Sequence, residues 1–254
     1  MARRSVGFLI GLLSMAVLSG PAAAAEIKVL TAGAMRGVVD ALVPEFEKRT
    51  GHRVSVDNAT AGVLAKRIDG GEAFDVAIVT PKVVDDLIEK GKIVSGSRTS
   101  LAKVGIGVVV KEGTPPPDIS TVDAFKRALL AAKSVAYINP KAGGTTGIYF
   151  DRLIERLGIA EQIRAKAKLK DGGYVADLVV SGEAELGVHV ISEIVPVKGA
   201  VLVGPLPAEI QNLTTYTAGV GAAARDATAA KALIDHLAGP AAAPVLKAKG
   251  MERP

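Results

Sequence analysis

The sequence predicts an α/β protein of two lobes, each a mostly parallel sheet flanked by helices, with two extended strands crossing between the lobes. Strand and helix patterns alternate along the chain, and a second alternating set begins after a Pro-rich turn. One Gly-containing strand precedes this second set and another follows it. The 254 residues are enough for one large domain or two modest ones. A composition of 49% hydrophobic but only 4% aromatic residues suits an Ala/Val/Leu core and argues against a sugar binder.

The first half of the chain contains three units that pass from a strand through a loop into a helix. In Ile27–Gly51 a buried strand ends in small residues, and apolar positions from Val38 to Phe46 then recur at helical spacing. A Lys-Arg pair and Gly51 end that helix. Arg53–Ile68 and Phe74–Lys90 repeat the pattern. Three consecutive units predict parallel strands with helices packed on them.

A second set of units follows a strand at Leu101–Val110 that contains two glycines. Its strands share an apolar run followed by a loop and a helix, and they lie at Val135–Ile138, Lys168–Leu169 and Glu185–Val190. Leu213–Gly221, the second Gly-containing strand, is the natural return crossing, and two helices close the chain.

Two lobe boundaries follow from these crossings. We expect a first lobe of residues 26–107 and 217–254 and a second lobe of residues 108–216. Ligand binding would close the lobes about a hinge near Val108–Val110 and Thr215–Thr217.

Residues 1–25 have the three parts of an export signal. Arg3-Arg4 is a basic start, Val6–Leu18 is an apolar run, and Ala23-x-Ala25 fits the small-residue cleavage rule. The apolar run is too short for a comfortable membrane span, so we predict cleavage near Ala25 and a soluble periplasmic protein. The sequence has no Cys, which excludes disulfides, thiolate chemistry and a lipid-anchored N-terminal Cys.

The charge pattern bears on possible partners. The net charge is +5, but Lys and Arg are interleaved with Asp and Glu and form no basic stripe with aromatic residues. We therefore expect no nucleic-acid partner.

Four loops at the carboxyl ends of predicted strands are expected to meet in the cleft between the lobes. They are Thr31–Met35, Asn58–Gly62, Gly143–Gly147 and His189–Ser192. Hydroxyls, glycines and backbone amides at helix N-termini suit a dehydrated anion. The alternative, that these residues only cap helices and form turns, is more plausible for any single loop than for all four together.

An enzyme is not indicated by the sequence. We expect His52 and His236 at the surface, whereas His189 ends an apolar strand and either faces the cleft or is a hydrogen-bonded core residue. The sequence contains none of the G-x-S-x-G, H-E-x-x-H, Walker or G-x-G-x-x-G motifs. With no nucleophile–base pair and no metal-ligand cluster in view, we predict a binding protein without catalytic residues, metal or cofactor.

Several blocks, none diagnostic alone, have a characteristic order and spacing. They are VLTAGAMRGVVDALVPEFEKRTG, Ala59–Ile68, Phe74–Ile78, Asn139-Pro140 with Gly147–Tyr149, Gly182–Gly187, and the closing LKAKGM. Together they resemble the periplasmic substrate-binding proteins of ABC importers, and among these the molybdate-binding branch, over nearly the whole mature chain. The resemblance implies a type 2 periplasmic binding fold, a monomer, a small anionic ligand such as molybdate or tungstate, and an inner-membrane ABC permease as partner.

The expected binding positions depart from the molybdate pattern. The first-loop serine of the family corresponds to Gly33 and the second-loop serine to Ala61, while Thr146 and His189 replace apolar residues and Tyr216 is retained. Loss of two hydroxyl donors should weaken tetrahedral oxyanion binding, so a small carboxylate stays open as the ligand. Presentation of the ligand to a membrane sensor, in place of a permease, also stays open.

The predicted ligand-binding residues combine the loop and resemblance arguments. They are Gly33, Ala34, Met35, Thr60, Ala61, Gly62, Thr145, Thr146, His189 and Tyr216. If His189 contacts the ligand, its titration should make affinity depend on pH between about pH 5 and 8.

Overall fold

The computed structural model describes residues 24–254. Its ten strands are β1 Glu26–Ala32, β2 Arg53–Ala59, β3 Val76–Val79, β4 Thr99–Val104, β5 Ile106–Lys111, β6 Val135–Ile138, β7 Ala167–Lys170, β8 Leu186–Val190, β9 Ala200–Pro205 and β10 Thr214–Val220. The signal peptide predicted for residues 1–25 lies outside the described residues, except for its last two positions.

Ten α-helices alternate with these strands. They are α1 Gly33–Thr50, α2 Ala61–Asp69, α3 Pro81–Glu89, α4 Val122–Ala131, α5 Thr145–Arg156, α6 Ala160–Arg164, α7 Ala176–Val180, α8 Ile191–Ile194, α9 Ala227–Ala238 and α10 Ala242–Ala248. Within residues 24–254, no helix is both long and apolar enough to cross a membrane.

The strands form two five-stranded sheets of the same design, ordered β2-β1-β3-β10-β4 and β7-β6-β8-β5-β9. Four strands of each sheet run in one direction, and helical crossovers connect three of them, whereas β10 in the first sheet and β5 in the second run antiparallel to both neighbours. Each sheet is therefore mixed, with most of its strands running in one direction. The antiparallel pairings arise where β5 and β10 enter their sheets from the other lobe.

The chain passes between lobes at two short connections. The expected strand Leu101–Val110 is two strands, β4 and β5, in different sheets, with Gly105 alone between them. The return connection lies between β9 and β10. Gln211 ties the two connections together, because its side chain accepts a hydrogen bond from Ile106 N at 2.8 Å and donates one to Ile106 O at 2.9 Å.

The lobe boundaries expected from sequence differ slightly from this division. Residues 107/108 fall inside β5, which belongs wholly to the second sheet, and residues 216/217 fall inside β10, which belongs wholly to the first. The hinge segments expected at Val108–Val110 and Thr215–Thr217 are thus ladder-paired strand residues. The residues that lie between the sheets, outside both ladders, are Gly105 and the segment around Gln211.

Apolar residues cover both faces of each sheet. In the first sheet Val29 packs with α1, α9 and α10, whereas the next residue, Leu30, packs with α2 and α3 on the other face. The second sheet is covered in the same way.

Two of the histidines differ from expectation. His236 is not a surface residue, because its Nε2 lies 3.0 Å from Leu42 O inside the first core and the helix α9 face that carries it packs on α1. His52 is half-buried, and its Nδ1 accepts a hydrogen bond from Ala25 N.

Candidate functional site

A cavity of about 380 Å³ lies between the lobes, where the carboxyl ends of strands from both sheets face each other. Eight of the ten residues predicted from sequence line it: Gly33, Ala34, Thr60, Ala61, Thr145, Thr146, His189 and Tyr216. Tyr216 belongs to β10 and therefore to the first lobe. The four loops expected to converge do so.

The other two predicted residues have different places. The Met35 side chain is buried in the first core, because it lies on the inner face of α1. The amide of Gly62 donates to Gly143 O of the second lobe at 3.1 Å, so a neighbouring backbone already occupies it. Neither residue lines the cavity.

The lobes touch beside the cavity through two further features. Thr60 Oγ1 donates to Ala142 O of the second lobe at 2.6 Å, and it also accepts from Val63 N as the N-cap of α2. A Cβ at Gly62 would lie 2.8 Å from Gly143 Cα, so this approach needs glycine. The structure therefore has the lobes closed against each other at this edge.

Glu193, on the four-residue helix α8, is a cavity residue that the sequence analysis misses. It is buried, and its Oε2 lies 3.5 Å from Nε2 of His189, four residues earlier. His189 and Glu193 are therefore a buried pair of ionisable side chains, which differs from the nucleophile–base pair that the sequence lacks. A His-x-x-x-Glu spacing across the junction of strand and helix is the signal that could have pointed to it.

Glu193 also explains the glycine at residue 33. A Cβ built on Gly33 would lie only 2.6 Å from Glu193 Oε1. The carboxyl group therefore takes the space that any side chain at residue 33, including the serine of the molybdate pattern, would use.

Burial governs the charge of the pair. Desolvation raises the pKa of Glu193 to about 8. Desolvation, with a smaller contribution from repulsion by Lys170, lowers the pKa of His189 to about 3. His189 therefore stays neutral in the physiological range, and a titration of this histidine between pH 5 and 8 is not expected.

Several polar groups at the cavity have no partner among the described residues. Glu193 makes no side-chain hydrogen bond, and the buried atom His189 Nδ1 makes none either. Burial also raises the pKa of Tyr216, helped by the charge of Glu193 and opposed by Thr145. Buried polar groups normally find partners, so these groups indicate a polar ligand.

Helix N-termini supply the remaining donors. The N-cap residues of α1 and α5 are Ala32 and Gly144, and neither has a side chain that caps its helix. The first-turn amides of both helices therefore receive no capping hydrogen bond from a side chain. Such amides favour negative charge. The cleft can therefore hold anionic groups by neutral donors while Glu193 offers a carboxyl group beside them.

These features are those of a two-lobed binding protein with a candidate ligand site in the cleft between its lobes. A profile of the family described as bacterial extracellular solute-binding protein matches residues 27–252, and the chain belongs to this family.

Characterised relatives carry names of two kinds. The chain is 31% identical to a Pseudomonas protein named aconitate isomerase, over 89% of this chain and 87% of the relative. It is 29% identical to the molybdate-binding protein ModA of Azotobacter vinelandii, over 97% of both chains.

Solved structures confirm the fold. The periplasmic molybdate-binding protein of Azotobacter vinelandii superposes with a TM-score of 0.77 at 22% identity, covering 90% of this chain and 99% of that one. The Mycobacterium tuberculosis sulfate-binding protein SubI has a TM-score of 0.72 at 15% identity, with 90% and 87% covered. The predicted two-lobed α/β architecture is therefore confirmed.

Proposed function

We propose that this chain binds a small organic polycarboxylate in the cleft between its lobes and delivers it, as a monomer in the periplasm, to an inner-membrane ABC permease. The observation that carries the ligand class is Glu193, which occupies the space of a side chain at residue 33. The chain thus holds a carboxyl group at the position where the molybdate pattern has a serine hydroxyl.

The size of the cavity supports the same ligand class. A volume of about 380 Å³ lies at the lower end of the range of roughly 300–1,000 Å³ for small organic ligands. A tetrahedral oxyanion has five heavy atoms and would leave much of this space to water. A ligand with several carboxylates on a short carbon chain would reach donors on both lobes.

The donor chemistry supports it as well. Protonated Glu193 can donate one hydrogen bond to a ligand carboxylate, and the first-turn amides of α1 and α5 can donate hydrogen bonds to the other carboxylates. The relative named aconitate isomerase points to an unsaturated tricarboxylate, whereas the relatives named molybdate-binding point to an oxyanion. The loss of serine at Gly33 and Ala61 favours the former.

Thermal unfolding of residues 26–254 against an anion panel tests the ligand class. The panel contains cis- and trans-aconitate, saturated tri- and dicarboxylates, molybdate, tungstate and sulfate, in a buffer free of carboxylate and phosphate. We expect stabilisation by tricarboxylates, about 2.7 kcal/mol at 100 times the dissociation constant. Stabilisation by molybdate and tungstate alone would contradict the proposal.

The transport role is tested separately in the source bacterium. We expect a strain lacking the gene to lose uptake of the radiolabelled tricarboxylate and to regain it with the wild-type gene. Unchanged uptake with an impaired response to the same compound would assign the protein to a membrane sensor.

A further inference from the structure

Two carboxyl groups are buried among residues 24–254, and they differ in how they are satisfied. Asp75 accepts hydrogen bonds from the backbone amides of Lys28 at 2.7 Å and Arg225 at 2.8 Å. Glu193 has no hydrogen-bond partner and faces the cavity. Asp75 is thus a structural carboxylate, whereas Glu193 carries the cost of burial without a partner.

The groups around Glu193 leave its carboxyl group able to gain and lose a proton. The group sits between Gly33 at the start of α1 and neutral His189 on β8. Tyr216 on β10 and Tyr174 before α7 are the other titratable groups that its charge reaches, and the pKa of both is raised first by burial. With its own pKa at about 8, Glu193 has both protonation states accessible near neutral pH.

We propose that Glu193 moves a proton between two carbons of an unsaturated polycarboxylate held in the cleft, so that the protein isomerises its ligand as well as binding it. This inference rests on the ligand class proposed above. It adds an activity that a solute-binding role does not require.

The reaction is balanced within the ligand and Glu193. The ionised carboxylate takes a proton from the saturated carbon next to the double bond, and the electron pair of that C–H bond spreads over the three-carbon unit and its carboxylates. The new Glu193 O–H then gives the proton to the far carbon, where the old double-bond electrons form the new C–H bond. No oxidant, reductant or net proton is consumed.

The cleft is suited to the charge that develops during this transfer. Negative charge grows on the ligand carboxylates, and the amides at the start of α1 together with Thr145 and Thr146 are fixed donors in the cavity wall. Prearranged donors in a site shielded from water stabilise such charge without reorganisation. Neutral His189, with Nε2 3.5 Å from the carboxyl group, lies beside Glu193 without neutralising its charge.

The test compares binding and isomerisation in the same protein. Residues 26–254 are incubated with cis-aconitate or trans-aconitate, and interconversion is followed by proton NMR, while calorimetry measures binding. For Glu193→Gln, which keeps the shape of the side chain, we expect at least a 100-fold loss of isomerisation rate with affinity within about tenfold. The matched control is Glu209→Gln, since Glu209 is exposed and lies away from the cavity.

A second variant distinguishes loss of the carboxyl group from loss of the folded structure. Glu193→Asp keeps a carboxyl group but withdraws it by one methylene, and we expect a measurable partial loss of rate. A single cooperative thermal transition shows that either variant is folded.

The outcomes separate this inference from the proposed function. Aconitate binding without interconversion by the wild-type protein overturns the proton transfer and leaves the binding role intact. Full activity of Glu193→Gln overturns the assignment to Glu193. No tricarboxylate binding at all overturns both proposals.

Discussion

The two lobes share one sheet design but differ where their third parallel strand ends. In the first lobe β3 leads into the nine-residue helix α3, which starts with Thr80-Pro81 and packs Val84 and Leu87 in the core. In the second lobe β8 leads into the four-residue helix α8, whose buried residues include Ser192 and Glu193. The same topological position is a packing element in one lobe and a polar wall of the cleft in the other.

Because of this difference, the two lobes contribute different chemical groups to the cleft. The first lobe lines the cavity with neutral groups, namely the backbone near Gly33 and Ala61 and the hydroxyls of Thr60 and Tyr216. The second lobe adds the buried ionisable pair. Sheet topology therefore fixes where a ligand sits, while the residues of one short turn decide what chemistry it meets.

The sharpest test of this division is Gly33→Ser, which puts a first-lobe side chain into the space of Glu193. Because its Cβ would lie 2.6 Å from Glu193 Oε1, the Glu193 side chain must move from its place, and we expect tricarboxylate affinity to fall by about 3 kcal/mol, roughly 100-fold. Calorimetry checks the affinity. Gly37→Ala is the control, since its Cβ would meet only the Lys249 side chain, at 3.6 Å.

Combining Gly33→Ser with Glu193→Ala tests whether the contact between residue 33 of the first lobe and residue 193 of the second sets the ligand class. The clash is removed and a hydroxyl becomes free, so we expect the double variant to recover its thermal stability and to bind molybdate. A double variant that still prefers tricarboxylates would show that the ligand class is set elsewhere in the cleft.

The contact between the lobes is probed by Gly62→Ala. The added methyl would lie 2.8 Å from Gly143 Cα and would hold the lobes apart. We expect affinity to fall by about 2 kcal/mol, roughly 30-fold, with the stability of the ligand-free protein little changed. Gly37→Ala, which lies outside the cavity lining and would meet only the Lys249 side chain at 3.6 Å, is again the control. Equal affinities of the two variants would mean that ligand binding does not require this contact.

The ionisable pair should shape stability against pH in two opposite ways. The pKa of Glu193 is raised from 4.5 to about 8, so the folded protein binds more protons there and its stability falls as pH rises through this window. The pKa of His189 is lowered from 6.5 to about 3, so its contribution is present above pH 6.5 and is lost on acidification.

Above pH 6.5 the His189 contribution is constant, and only the Glu193 contribution still changes with pH. Between pH 6.5 and 8 we expect Glu193→Gln to gain stability relative to wild type, with a slope of at most about 1.4 kcal/mol per pH unit. Urea unfolding of the ligand-free proteins at several pH values measures the difference. A difference that does not vary with pH would show that Glu193 titrates normally.

Most of the fold could be predicted from local pattern. The three opening strand–helix units and the second set of such units follow from apolar periodicity, because the spacing of apolar residues identifies the buried face of each strand and helix. The break at Gly105 could not, since β4 and β5 form one apolar run and only pairing with different sheets separates them. Boundaries that depend on long-range pairing carry no local signal.

Part of the candidate site was also predictable, because some of its residues have a local sequence signal and others do not. Gly33, Thr60 and Thr146 follow strands and begin helices, which a sequence shows. Glu193 was missed because α8 is too short for periodicity and a Glu there normally faces solvent; its burial comes from packing of α8 against α1. His236 was misplaced on the surface because its partner, Leu42 O, lies 194 residues away in sequence.

The smallest expected effect concerns the hydroxyl of Thr146, which is buried at the start of α5 and makes no side-chain hydrogen bond among the described residues. If it donates to the ligand, Thr146→Val should weaken tricarboxylate binding by about 1 kcal/mol, roughly fivefold, while Thr146→Ser should keep wild-type affinity. Calorimetry on the three proteins decides the point. Unchanged affinity of the Val variant would mean that the hydroxyl does not contact the ligand, and that the second lobe anchors it through helix amides and the α8 turn alone.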